Sequence, residues 1–396
     1  MRQLKPITIE KIHLHPVGLP LVERLQTSAS YEPFKSAVIV ELETSDGVTG
    51  WGECPTKMLP SYAYESMGTA LHILGEFFVG WLVGKTIDNP MDVPAILGKI
   101  RGHPMAKYAA ETAVWDAIAK TNNMRLADLF ASVLPEGHDS KGYAVVGVSI
   151  GIQDSVEKTL QIIDKRLNEG YGRIKLKIRP GWDVELARGV RAVYPDVSLM
   201  LDANSAYQLS DADHLKQLDE FNLLMLEQPL GHHDIYQHGK LQPQLHTAIC
   251  LDESIYSADD ARLGVEIGAC KIINLKPARV SGFTESIELY KFCVESGTPL
   301  WVGGLLETGV GRAANLAFAS LPGVTLPSDI SATDRYFDPD LTEPSFELSA
   351  GSRINVPDGY GIGVEVQRDR LESANAHWRE NHPYKMEMSQ YVPVRS

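Results

Sequence analysis

The chain changes rhythm near residue 140. Before it, apolar residues alternate over 7–17, and the runs 37–43 and 48–53 flank Ser45-Asp46-Gly47, a pattern that predicts strands and a hairpin. Residues 21–35, between the first two runs, are polar and turn-rich and predict a loop. Over 62–130 the apolar spacing turns helical. An Ala-rich stretch opens at Pro104-Met105-Ala106-Lys107 and suits a tightly packed helix. Strands followed by helices in one block predict an α+β domain.

After residue 140 strand and helix signals alternate. Strands are predicted over 143–150, 172–178, 197–202, 222–227, 248–252, 270–275, 299–303 and 324–328, and helices over 152–168, 183–194, 210–219, 257–267, 282–296 and 308–320. Eight parallel strands with short loops and crossover helices predict an α/β fold, a closed TIM-type (β/α)8 barrel in modified (β/α)7β form. The expected organisation is a capping domain over 1–135, a barrel over 140–330, and a segment 331–396 that returns to the cap. A period near 25 also fits a leucine-rich solenoid, but the LxxLxLxxN signature is absent.

Charge falls where a buried strand should stay apolar. Asp202 (LMLDAN), Glu227 (LMLEQP) and Asp252 (ICLDES) each end an apolar run, with 25 residues between successive acids, and Lys276 (INLKP) follows 24 residues later. Lys175-Leu176-Lys177 ends the preceding strand. Barrel enzymes assemble their sites at the C-terminal strand ends, where these charges lie. Adjacent strands are about 4.8 Å apart, so the three acids can converge on one ion. Unpaired, they would repel and raise one another's pKa, and an all-oxygen set suits a hard divalent cation such as Mg²⁺. Three separate salt bridges are the competing reading.

Lys175 and Lys177 share parity and point into the barrel, while Leu176 faces the helices. Proximity to each other and to a divalent cation should depress their pKa and leave one available as a base near neutral pH. Lys276, four strands on, faces Lys177 across the mouth. Bases on opposite faces of a carboxylate-bearing substrate can remove a proton from one side and return one from the other.

A net charge of −14 argues against nucleic acid or an anionic membrane as partner, so an anionic small substrate needs local positive charge. The four cysteines, Cys54, Cys250, Cys270 and Cys293, form no CxxC and predict reduced structural thiols. The start MRQLKPITIEKIHLHPV has no apolar signal core, and no apolar run is long enough to span a bilayer. The expectation is a cytoplasmic protein, forming a homo-oligomer.

The KxK strand, the three strand-end acids and the later lysine resemble the enolase superfamily, in its muconate-lactonising subgroup. The likeness runs over nearly the whole chain. GVSIGI (147–152), LKPARVSG (275–282), GGLLETGVGRAAN (303–315) and SDISATDRYF (328–337) are similar to the o-succinylbenzoate synthase and N-acylamino acid racemase family. That resemblance implies Asp202, Glu227 and Asp252 as ligands of Mg²⁺, which Mn²⁺ can replace, and Lys177 and Lys276 as the acid/base pair supported by Lys175. It implies Ser149, Asn204, the Gly303 and Gly304 backbone and Leu305 along a small carboxylate substrate, with residues 21–35 and 53–61 as covering loops. Arg279 is associated with the racemising branch. The implied activities are dehydration to o-succinylbenzoate in menaquinone biosynthesis and racemisation of N-succinylamino acids.

Three departures stand out: Ser281 in Val280-Ser281-Gly282 where the family often has Gly-Gly, Leu305-Leu306 where it has Met-Ile, and Asp329-Ile330-Ser331 in place of the Asp-x-Asp of dipeptide epimerases. The last speaks against dipeptides, leaving epimerase and cycloisomerase activities as alternatives. A Schiff-base lyase using Lys276 and a noncatalytic ligand-binding barrel are the readings from other classes. Gly309-Val310-Gly311-Arg312 is an incomplete dinucleotide fingerprint and reads as a helix N-terminus. His232, His233 and His238 read as solvated loop residues. Trp51, Tyr62 and Tyr64 either meet substrate or pack between domains.

Overall fold

The computed structural model describes residues 4–23 and 34–381, so most of the predicted loop 21–35 lies outside the described residues. The first runs build an antiparallel sheet of β1 (Ile7–Pro20), β2 (Phe34–Thr44), β3 (Thr49–Cys54) and β4 (Thr86–Ile87), in the order β3-β2-β1-β4, with β2 and β3 buried almost throughout. The Ala-rich helix Pro104–Thr121 lies directly on β3. A Cβ on Gly50 would stand 2.1 Å from the Ala113 carbonyl oxygen, and one on Gly52 2.0 Å from that of Ala109. Only glycine permits this approach, and only small helix residues complete it. Glu65 accepts from the Met105 and Ala106 amides and so satisfies donors left open at the helix start.

The second sheet is parallel, with strands β6 (Val148–Ile150), β7 (Arg173–Lys177), β8 (Ser198–Asp202), β9 (Leu226–Glu227), β10 (Ile249–Leu251), β11 (Ile272–Leu275) and β12 (Leu300–Val302) in chain order; β5 (Tyr143–Val145) pairs elsewhere, with residues 353–355. The predicted eighth strand forms no regular ladder, yet it closes the ring. The Asp329 amide donates to Val302 on one side, while the Ser328 amide donates to Val145 and the Gly147 amide donates back to Ser328 on the other. Outer helices cover the sheet. The helix Arg368–Asn381 packs on β1 of the capping sheet.

Three expectations need correction. The single strand 143–150 breaks at residues 146–147, where a Cβ on Gly147 would meet the Arg173 guanidinium at 2.3 Å. The helix expected at 210–219 is a short α turn between 3-10 turns. The loop after β9 contains the helix Ile235–Leu241, whose His238 is buried, not solvated. His238 Nε2 accepts the Leu230 amide, and burial lowers the pKa of the ring. His238 therefore fastens its helix to the strand exit.

Candidate functional site

Strand register brings the predicted charges together. Lys177 is paired with Asp202, and Asp202 with Glu227, across neighbouring strands. Parity turns Lys175 and Lys177 inward together, and both are buried. Lys177 Nζ lies 2.5 Å from Asp202, Lys175 Nζ 3.2 Å from Glu227, and Lys276 Nζ 2.8 Å from Asp252.

Each acid responds to its company. Burial pushes Glu227 up, and the neighbouring charges of Asp202 and Asp252 help carry it to about 8. Burial opposes ionisation of Asp202 and Asp252 too, but Lys177 and Lys175 outweigh it at the first, and Lys276 and Arg279 at the second, so both are lowered. Lys175 departs from expectation. Burial would lower Lys175, yet Asp329, Glu227 and Asp202 hold its pKa well above the ordinary value. Carboxylates on three sides outweigh burial and the nearby Arg173 guanidinium.

Three contributors escaped the sequence reading, and a fourth was left between two readings. Asp329, noted only as a departure, ion-pairs with Lys175 and, at 2.7 Å, with Arg173. Asn274 donates to Glu227 at 2.7 Å; it lies two residues before Lys276, so the strand parity that placed Lys175 beside Lys177 was an available signal. Glu253 follows Asp252 and accepts from Asn204 at 2.9 Å; burial, then the charges of Asp252 and Asp202, raises it to about 7. Tyr62 reaches in from the capping domain. Its hydroxyl lies 2.9 Å from Lys276 Nζ, 3.0 Å from Arg279 and 3.2 Å from Asp252. Of the residues left between two readings, Tyr62 lies in the cavity wall beside Lys276 and Asp252. Trp51 packs under Arg368, and Tyr64 stacks on His233 at 5.4 Å.

A cavity of about 360 Å³ opens above these groups, lined at its base by Lys177, Lys276, Asn204 and Glu253, and on its walls by Tyr62, Leu305 and Leu306. A recess of about 70 Å³ continues past Ser149, whose buried hydroxyl has no hydrogen-bond partner among the described residues. Gly303 lets the chain pass Lys276: a Cβ there would stand 2.7 Å from its Cε and 2.2 Å from Asn274 Oδ1. Gly304 lines the cavity beside Leu305. Arg279 stands behind the acids, donating to the Ile255 and Asn274 carbonyls and to Asp252 and Tyr62.

The donor chemistry at the base suits a hard cation: carboxylates facing one another on adjacent strands, with Glu253 Oε2 and Asn204 Oδ1 buried and lacking a hydrogen-bond partner among the described residues. As arranged, no three acids, imidazoles or thiols among the described residues converge closely enough to hold an ion. Lysine ammonium groups sit on the carboxylate oxygens instead. The four cysteines are free and buried, and no described helix is long and apolar enough to cross a membrane.

A parallel barrel under an antiparallel capping domain, with lysines and acids at its strand ends, defines the class of protein. Residues 159–370 match the family described as enolase C-terminal domain-like, and residues 13–131 the mandelate racemase / muconate lactonizing enzyme N-terminal domain. The chain belongs to the enolase superfamily. It is 43% identical to an o-succinylbenzoate synthase of Bacillus subtilis, over 92% of this chain and 95% of that protein. It is 42% identical to an N-succinylamino acid racemase of Thermus thermophilus, over 92% and 96%. The crystal structure of an enolase-superfamily protein from Listeria innocua matches with a TM-score of 0.88 at 40% identity, covering 93% of this chain and 97% of that one.

Proposed function

We propose that this chain is a Mg²⁺-dependent acid/base enzyme that removes a proton α to a carboxylate, as an o-succinylbenzoate synthase, an N-succinylamino acid racemase, or both. One observation carries the reading: Lys177 and Lys276, at the ends of strands four places apart in the sheet, line the same cavity with carboxylates between them. The similarity to relatives of both names supports it.

Asp202, Glu227 and Asp252 would hold Mg²⁺, taking up oxygens now engaged by lysines. The bound ion would supply Lewis-acid stabilisation to a substrate carboxylate as charge develops on it. In racemisation Lys177 takes the α-proton from one face and Lys276 returns one to the other, with the roles exchanged for the opposite enantiomer. In dehydration Lys177 takes the α-proton and returns a proton to the β-hydroxyl, whose C–O bond breaks to release water, while Lys276 stays protonated beside the developing negative charge. Lys175, gripped by Asp329 and Glu227, adds fixed positive charge next to Lys177. Ser149, Asn204 and the Gly303–Gly304 backbone position the substrate, and Leu305 lies along its side chain.

Proton NMR in D₂O tests the reading. With Mg²⁺, the α-proton of N-succinylamino acids exchanges or the succinylbenzoate precursor dehydrates, and chelator reduces either activity to background. Activity that survives exhaustive chelation sinks the metal role. Trapping of a covalent adduct by borohydride, with no exchange, points instead to a Schiff-base lyase.

A further inference from the structure

The cavity carries a cation that this proton chemistry does not use. Lys35, on β2, is only 3% exposed and lines the same cavity as Lys177 and Lys276. Its ammonium donates to the Pro55 carbonyl at 3.0 Å and the Leu305 carbonyl at 2.9 Å. Among the described residues it forms no ion pair, whereas Lys175, Lys177 and Lys276 all do. Glu53, an acid that feels its charge, is engaged elsewhere: its oxygens accept from the Thr308 amide and hydroxyl and from the Gly311 amide. Burial raises Glu53 to about 7, so it is an incomplete counter-charge near neutrality.

An ammonium has three donors, and backbone carbonyls take two of Lys35's. A buried cation without a carboxylate is costly unless a partner completes it. The cavity lies on its open side.

We propose that Lys35 is a specificity-determining residue that binds a second carboxylate, at the far end of the substrate's acyl group. The inference rests on the proposed function and deepens it, selecting N-acyl groups that are themselves anionic over neutral ones. The two carboxylates of such a substrate are then divided: one goes to the barrel floor, the other to the seam where β2, the loop after β3 and the loop after β12 meet.

The test compares three probes on the Mg²⁺-loaded full chain: N-succinyl-L-alanine, its methyl ester at the acyl end, and N-acetyl-L-alanine. Titration calorimetry gives Kd, and D₂O exchange gives kcat and KM. In the unaltered protein, N-succinyl-L-alanine should bind at least about tenfold more tightly than the ester, the scale of one charge-assisted hydrogen bond in a buried site. Lys35→Met should erase that preference through KM while leaving N-acetyl-L-alanine within about twofold, and Lys35→Arg should restore it. Equal binding of the diacid and its ester in the unaltered protein overturns the proposal, even if no variant folds. So does an equal loss on all three probes in Lys35→Met, which would mark Lys35 as a fastener between domains. Lys35-dependent binding without exchange or dehydration supports the subsite and overturns the proposed chemistry. Exchange that is indifferent to Lys35 does the reverse.

Discussion

The two lysines across the cavity are held in different ways. Lys177 is a product of the barrel alone: its ammonium rests on Asp202, its register partner on the next strand. Lys276 belongs to both domains. Asp252 holds it from the barrel, while Tyr62 from the cap both bonds it and lies under it, with the ammonium 4.5 Å from the ring centroid. The cap grips this side a second time. Glu111, on the helix Pro104–Thr121, accepts from the Thr284 amide and hydroxyl at the start of the helix that follows Lys276. A barrel can therefore fix one proton-transfer group by strand register, while the other depends on domain docking. Disturbing the cap should weaken one face of the chemistry before the other.

Removing the lysines should give the largest effect. Lys177→Ala and Lys276→Ala should each lower α-proton exchange by about 10²–10⁴-fold, with opposite preference for the two enantiomers of an N-succinylamino acid. Stereospecific exchange measured in D₂O checks this, and exchange that survives both substitutions breaks the two-base assignment. Tyr62→Phe should be smaller and one-sided. It should slow the enantiomer dependent on Lys276 by about tenfold and spare the other, since Lys177 has no contact with the cap among its described hydrogen bonds and ion pairs. Equal slowing of both enantiomers would dissolve the asymmetry.

Glu111 converts the same asymmetry into a pH dependence. Burial raises its carboxyl to about 7, despite the bonds from Thr284 and Trp115. An acid whose folded pKa exceeds its unfolded value stabilises the fold fully below the unfolded value, and that contribution is lost as pH rises through the folded one. The shift from 4.5 to about 7 corresponds to at most roughly 3 kcal/mol. Glu111→Gln keeps the shape without the charge, so denaturant unfolding should show a smaller loss of stability between pH 5 and pH 8 than in the unaltered chain. Identical pH profiles would show that Glu111 is ionised throughout.

Legibility in the sequence followed the same divide. Asp202, Glu227, Asp252, Lys177 and Lys276 were readable because each puts charge where a buried strand should remain apolar, and strand pitch then implies neighbours. Lys35 was not, and Tyr62 was left between two readings, because no periodicity within the cap says which of its residues meet a barrel 200 residues downstream. Asn274 was readable in principle by parity. His238 was hidden by the polar residues around it, although Ile235, His238 and Leu241 are spaced as the buried side of a short helix. Lys175 was placed beside Lys177, but its carboxylate partner Asp329 was not foreseen, because Asp329 arrives from the far end of the barrel and only ring closure brings it close. Patterns within one element were legible, whereas charges contributed by distant segments were not.

The smallest predicted effect lies in the turn between Lys276 and its helix. Ser281 has a φ of 75°, a left-handed conformation that glycine adopts freely and serine does not. It is followed by Gly282, where a Cβ would meet Glu111 Oε2 at 1.9 Å, so the turn cannot relax toward the cap. The strain therefore persists because Glu111 and Asp252 fix the segment at its two ends. Ser281→Gly should relieve it, offset partly by the greater freedom of glycine in the unfolded chain, for a net gain of about 0.5–1 kcal/mol. Thermal unfolding should rise by roughly 1–3 °C with both enantiomers still exchanging at unaltered rates. A gain in stability together with a loss on the Lys276-dependent enantiomer alone would mean that the strained turn itself helps to aim Lys276, and the dependence of that side on docking would then extend into the backbone.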